Sequence, residues 1–230
     1  MKKIILTTIA LSIILTINAQ KIGTKLGLNL SGVNTSTQLS PEEIAKLLPG
    51  ICGGFVFDYT PKHIGLVAEA LYSQKGYKVK ADAKLIDGTT DVTTDISLHL
   101  NYIEVPVMLK VKFGPAFIVA GPYMAYAMDG KRLVTMTVDG KKLLESQVEE
   151  QGQIPSNDVF KGAEFNGDNV TFSRTDYGIN IGAGAEFLMF FAEARYGLGL
   201  ANVSDFENMP SNFYTKNYTI TLSVGVKFGK

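Results

Sequence analysis

Asn217-Tyr218-Thr219-Ile220-Thr221-Leu222-Ser223-Val224-Gly225-Val226-Lys227-Phe228 alternates at every step between polar or small residues and apolar ones. Tyr218, Ile220, Leu222, Val224, Val226 and Phe228 fall on one side, and Asn217, Thr219, Thr221, Ser223, Gly225 and Lys227 on the other. A period of two is that of an extended strand with one apolar and one polar face.

The pattern recurs upstream, giving about eight strand-like segments. Residues 22–33 set Ile22, Thr24, Leu26, Leu28 and Leu30 against Gly23, Lys25, Gly27, Asn29 and Ser31. Residues 51–59 set Phe55, Phe57 and Tyr59 against Gly54, Val56 and Asp58, and residues 64–73 set Leu66, Ala68, Ala70 and Tyr72 against Gly65, Val67, Glu69 and Leu71. Residues 96–113 alternate around Ile103, Val105, Val107, Leu109 and Val111, with a slip in parity near Leu100 that predicts a bulge. Residues 116–128 are apolar on both faces, and 176–187 and 190–203 alternate again.

The connections are short and long in turn. Thr60 to His63, Gly114-Pro115 and Leu188-Met189 are tight, whereas 34–50, 76–95, 129–173 and 204–216 are long. Within the long ones, Ser40-Pro41-Glu42-Glu43 is a capping box that predicts a short helix carrying Ile44, Leu47 and Leu48. Asp87-Gly88 and Asp139-Gly140 are hairpin-turn signals, which predict ribbons rising above the strands. The expected fold is all-β: an up-and-down antiparallel transmembrane β-barrel of about eight strands, with short periplasmic turns and long extracellular loops.

Composition agrees with that compartment. Lys2 and Lys3 precede an apolar run from Ile4 to Ile17, and Ala19 offers a cleavage point, so residues 1–19 read as a signal peptide and 20–230 as the barrel domain. The run is short for a spanning helix, which needs ~20 apolar residues. With 22 basic and 22 acidic residues dispersed along the chain, nothing marks a nucleic-acid surface. Cys52 is the only cysteine, which excludes an internal disulfide and suits a small buried residue.

The polar faces are rich in glycine, asparagine and isolated charges, as befits the narrow inside of a small barrel. Parity assigns Lys25, Glu69, Glu104, Lys110, Glu186, Glu193 and Arg195 to that inside, where opposite charges can pair. Two aromatic belts are available: Tyr59, Phe113, Phe117, Phe187, Phe190 and Phe191 beside the short turns, and Tyr72, Tyr126 and Tyr218 nearer the loops.

Four segments also resemble the PorT-type outer-membrane β-barrel family of Bacteroidota: Gly23-Thr24-Lys25-Leu26-Gly27-Leu28-Asn29-Leu30-Ser31, Glu69-Ala70-Leu71-Tyr72-Ser73-Gln74-Lys75-Gly76, Tyr102-Ile103-Glu104-Val105-Pro106-Val107-Met108-Leu109-Lys110 and Ala194-Arg195-Tyr196-Gly197-Leu198-Gly199-Leu200. Tyr102 to Pro106 is the most specific part. The resemblance implies an eight-stranded barrel in the outer membrane, and an association with type IX protein secretion for the name-giving member.

Signals of chemistry are sparse. Ser97 and His99 share a strand face, the kind of pair that outer-membrane lipid A deacylases combine with an acidic residue, but no third partner can be assigned; a hydrogen-bonded histidine inside the barrel is the plainer reading. Gly178, Gly182 and Gly184 lie within a strand with no helix after them, so they do not make a dinucleotide loop. Glu149-Glu150 reads as a solvated loop pair. No catalytic, cofactor-binding or metal-ligating residue is assigned. The leading functional expectation is a non-enzymatic integral outer-membrane protein, surrounded by lipid, that binds an extracellular or cell-envelope partner through its loops. The alternatives are an accessory of type IX secretion, a lipid-modifying enzyme, and a soluble lipocalin-like carrier with the two faces reversed.

Overall fold

The computed structural model describes residues 20–35, 44–84, 91–138, 141–142, 160, 163–165, 168–206 and 214–229. The leader, the capping box at 40–43 and both hairpin-turn dipeptides lie outside these residues. Numbered in chain order, the strands are β1 (Gln20–Thr35), β2 (Ile44–Tyr59), β3 (Ile64–Lys84), β4 (Asp91–Phe113), β5 (Ala116–Val138), β6 (Lys141–Lys142), β7 (Ala163–Phe165), β8 (Asp168–Phe172), β9 (Thr175–Phe187), β10 (Phe190–Gly199), β11 (Ser204–Phe206) and β12 (Thr215–Gly229).

The eight long strands pair antiparallel in the order β4-β3-β2-β1-β12-β10-β9-β5, and a β4–β5 pairing closes the ring. Closure leaves no free sheet edge around the barrel. β11, β8 and β7 make a separate three-stranded sheet. The terminal strand pairs with the first, Leu222 opposite Leu28 and Thr221 opposite Asn29, so the period-two pattern of both ends sets a single register. β10 alternates exposed and buried residues from Phe190 to Gly199 without a break.

β9 and β10 have 13 and 10 residues, but β3, β4 and β5 have 21, 23 and 23. The longer strands continue as a projecting sheet at the rim opposite the short turns. Pairing of β3 with β4 runs out to Lys84 opposite Asp91, and β5 meets β6 at Val138 opposite Lys141. The long connection 76–95, whose hairpin signal predicts a ribbon, is paired strand throughout its described residues, 76–84 and 91–95.

The expected helix is not formed by Ile44, Leu47 and Leu48, which belong to β2; Ile44 to Leu47 pair with Lys80 to Tyr77 of β3. A ladder with the extended β3 satisfies these backbone groups, and that outweighs a local capping preference. The register shift of β2 falls between Leu47 and Cys52, around Pro49, which has no N–H to donate.

The parity slip near Leu100 also has a different origin. In β4, Leu98, Leu100, Tyr102 and Glu104 all face inward on one unbroken alternation. The inner face itself turns apolar at this height, and the irregular residue sits on β5, where Asn101 opposes Asp129 and Tyr102 opposes Ala127, leaving Met128 over. β5 is apolar on both faces because Phe117, Val119, Tyr123, Ala125 and Ala127 fill the interior while Ile118, Met124, Tyr126 and Met128 cover the exterior.

Inner glycines make room for aromatic rings across the ladder. Gly184 pairs with Phe117, Gly178 with Tyr123 and Gly225 with Phe191. A Cβ at Gly184 would lie 2.4 Å from the Phe117 ring and 2.3 Å from the Ala192 carbonyl. Gly184→Ala is expected to destabilise the barrel by about 1–3 kcal/mol through overpacking. Denaturant unfolding of the refolded variant measures this; an unchanged midpoint would refute it.

Candidate functional site

The interior of the barrel concentrates charge. All seven ionisable residues assigned inward by parity are there, joined by Asp58, Lys75, Lys112, Asp176 and Lys227. Six acidic and six basic side chains thus share the interior, and they fall into three clusters along the axis.

Nearest the short turns, Lys110 and Lys227 reach Asp58 at 2.7 and 2.6 Å, and both also contact Glu186. The second Glu186 oxygen takes Lys112 at 2.7 Å, and the Thr60 hydroxyl donates to Asp58. Phe117 and Phe191 present their ring faces to Lys110 and Lys227 at 4.3 and 4.6 Å. These two phenylalanines are 2% and 5% exposed, so they do not join the outer aromatic belt as expected. They fill the interior beside the lysines, while Tyr59, Phe113, Phe187, Phe190 and Phe228 form the exposed collar.

The middle cluster centres on Glu69. Arg195 donates to it through both terminal nitrogens, at 2.9 and 3.0 Å, and Lys25 lies 2.9 Å away. Arg195 also meets Glu193 at 2.6 Å. Above it, Lys75 bridges Glu104 at 2.8 Å and Asp176 at 3.4 Å, with the Tyr123 ring 4.3 Å from its nitrogen. Asn217 donates to Asp176, and Asn180 to Glu104. Between these two clusters Asn29 donates to the Ser73 hydroxyl and the Gln74 carbonyl and accepts from Thr221.

An apolar cluster stops the loop end. Leu98, Leu100, Tyr102, Tyr123, Ala125 and Ala127 cluster toward the long loops, with Tyr77 and Phe160 against them. Arg174 lies 4.2 Å from the Phe160 ring and donates to the Ala127 carbonyl. Val56, Val67, Met108, Phe117, Val119 and Phe191 pack among the charges at the other end, between the cluster nearest the short turns and that of Glu69. The polar cavity between Lys25, Asn29, Lys75, Glu104 and Arg195 has a volume of about 20 Å³, which is about the space of one water.

Ser97 and His99 lie on the outward face of β4, half-buried, opposite in parity to Leu98 and Leu100. His99 is therefore not the interior histidine that was expected. Neither side chain makes a hydrogen bond to another described residue, so among the described residues no acid orients the pair as nucleophilic catalysis requires. Cys52 is a free, buried thiol, as its composition suggested. Glu149-Glu150 lies outside the described residues. The exterior carries large apolar side chains on every long strand, among them Leu26 at 72% and Leu222 at 58% exposed. This is the reverse of the lipocalin-like arrangement, which would enclose the apolar face, and the carrier reading falls with it.

The chain is weakly similar to several solved structures. Ail, the attachment invasion locus protein of Yersinia pestis, is 12% identical over 91% of this chain and 99% of its own, with a TM-score of 0.40. Neisserial surface protein A is 9% identical over 90% and 97%, with a TM-score of 0.38. The outer membrane protein OprG of Pseudomonas aeruginosa is 12% identical over 93% and 98%, also at 0.38. No curated protein matches the chain significantly. The family model for the outer membrane protein beta-barrel domain matches residues 18–205, and with a closed eight-stranded ring behind that match, the chain belongs to this outer-membrane barrel family.

Proposed function

We propose that this protein is a non-enzymatic outer-membrane anchor whose long loops contact a protein or surface polymer outside the cell. In this reading residues 1–19 are a removed leader, the apolar exterior lies in lipid, and the short turns and both termini are periplasmic. The filled interior carries the proposal. Among the described residues the interior charges neutralise one another, one apolar cluster lies over them toward the long loops, another packs among them near the short turns, and the polar cavity between them is about 20 Å³, which favours binding at the projecting strands and loops over binding inside. The test has two arms. In planar bilayers the purified protein is expected to pass no current above leak. Cross-linking in intact outer membranes is expected to capture a partner with the wild type, and not with a variant in which 143–158 is replaced by a short glycine-serine linker. A steady conductance, or capture unaffected by the replacement, would overturn the reading.

A secretion role is the second reading, and it is favoured by the PorT-type resemblance of Tyr102 to Pro106. Glu104 within that stretch holds Lys75, which makes the motif a structural element of the interior. Unchanged cargo secretion in a deletion strain would dismiss this role.

A further inference from the structure

We infer that the connection from β5 to β9 and that from β10 to β12 move as one body in their described residues, keyed to the loop end of the barrel by a clamp of Phe160 and Arg174. β5 and β9 part just above Tyr126, whose pairing with Thr175 is their last. Beyond it β5 runs on beside β4 as far as Val138, with Met128 left over in that ladder. The carbonyls of Ala127 and Met128 thus stand above the last β5–β9 pair. Arg174 holds both: its Nη1 donates to them at 3.2 and 3.4 Å, and its own carbonyl accepts from the Ala127 amide at 2.7 Å. The Phe160 ring covers the guanidinium at 4.2 Å and packs against the apolar cluster of Leu98, Tyr102 and Tyr123, which fastens the long connection to the barrel interior.

The second connection is tied to the first. Val170 to Phe172 of β8 pair with Phe206 to Ser204 of β11, and β7 lies along the other side of β8. At the foot of this sheet Val203, 1% exposed, accepts from the Ser173 amide at 3.0 Å and donates to the Thr215 carbonyl at 2.9 Å. Ser173 adjoins Arg174 in sequence, so release of the clamp reaches β8 directly and β11 through the ladder. A ladder this short is marginal by itself, and its order depends on what fixes its ends. What the clamp does for function rests on the loop-binding reading above: a partner that meets loops already in place is spared the entropy of ordering them.

Hydrogen–deuterium exchange of the full chain in lipid nanodiscs tests the clamp. Phe160→Ala is expected to speed exchange of the β8 and β11 amides by about tenfold, while the β12 amides around Leu222 keep the wild-type rate. Arg174→Gln should do the same, and Phe160→Tyr, which keeps the ring, should not. Phe160→Ala/Arg174→Gln should add little to either single change, because both remove one contact. Faster exchange in β8 with β11 unmoved would show that the two connections move separately. Multiplying effects, about a hundredfold in the double variant, would show that ring and guanidinium act apart. Either result, or exchange unchanged in Phe160→Ala, overturns the inference and leaves the loop-binding reading standing. Cross-linking in intact outer membranes reads the other half: Phe160→Ala is expected to capture less partner than the wild type. Fast exchange with undiminished capture would uphold the clamp and count against the loop-binding reading.

Discussion

Glu69→Ala is expected to destabilise the barrel by about 3–5 kcal/mol, the range for removing one partner from a buried ion cluster. The carboxylate accepts from both terminal nitrogens of Arg195 and from Lys25, and its side chain is 1% exposed. Arg195 would keep Glu193, but Lys25, itself 1% exposed, would lose the one carboxylate it contacts among the described residues. The penalty is the cost of a charge left without water or counter-charge, so it exceeds the net worth of the bond removed. Glu69→Ala/Lys25→Met should accordingly be less damaged than Glu69→Ala alone, a non-additivity that a double-mutant cycle reads directly. Urea unfolding of protein refolded in vesicles supplies the free energies. A loss below 1 kcal/mol for the single variant would show that water reaches Lys25 and that the interior is not sealed.

The sequence makes the interior legible to the extent that parity does. Lys25, Glu69, Glu104, Lys110, Glu186, Glu193 and Arg195 are placed inward by alternation alone, since a strand gives no other direction to every second side chain. Their pairings are not legible, because Glu69 and Arg195 are 126 residues apart and meet across the barrel axis. Lys75 and Asp176 escape notice for a different reason. Lys75 lies beyond Ser73, where the sequence pattern ceases to mark β3 although its pairing continues to Lys84, and Asp176 is the first inward residue of β9 after a long connection. Period two also separates two faces without saying what each face meets. Near the short turns Phe117 and Phe191 are apolar yet inward, because a ring can cover both a glycine and a lysine nitrogen. At the loop end Leu98 and Leu100 are inward while Ser97 and His99 face out, which inverts the preference seen lower on the same strand. The inversion is what an exterior leaving an apolar surrounding for water would select, and in sequence it resembles a slip of register.

Leu222→Arg tests which medium surrounds the barrel, and it is expected to cost about 2–4 kcal/mol in folded bilayers, the penalty for arginine at mid-membrane. Leu222 lies midway along β12, 58% exposed, flanked on the same outer face by Leu28 of β1 and Ala194 of β10. More than half of the side chain is open to the surroundings, so an arginine there meets chiefly whatever lies outside. Thr221, its neighbour in sequence, faces the interior and donates to Asn29 at 2.8 Å. Thr221→Arg is therefore expected to be penalised through crowding and displaced hydrogen bonds, and that penalty should persist in detergent micelles. The two variants separate desolvation from packing. Measured side by side, the Leu222→Arg penalty should shrink in vesicles of shorter-chain lipid, where the arginine reaches the interface more easily, while that of Thr221→Arg should not. If Leu222→Arg proves as well tolerated as Leu222→Ala in folded bilayers, the apolar exterior is not in contact with acyl chains.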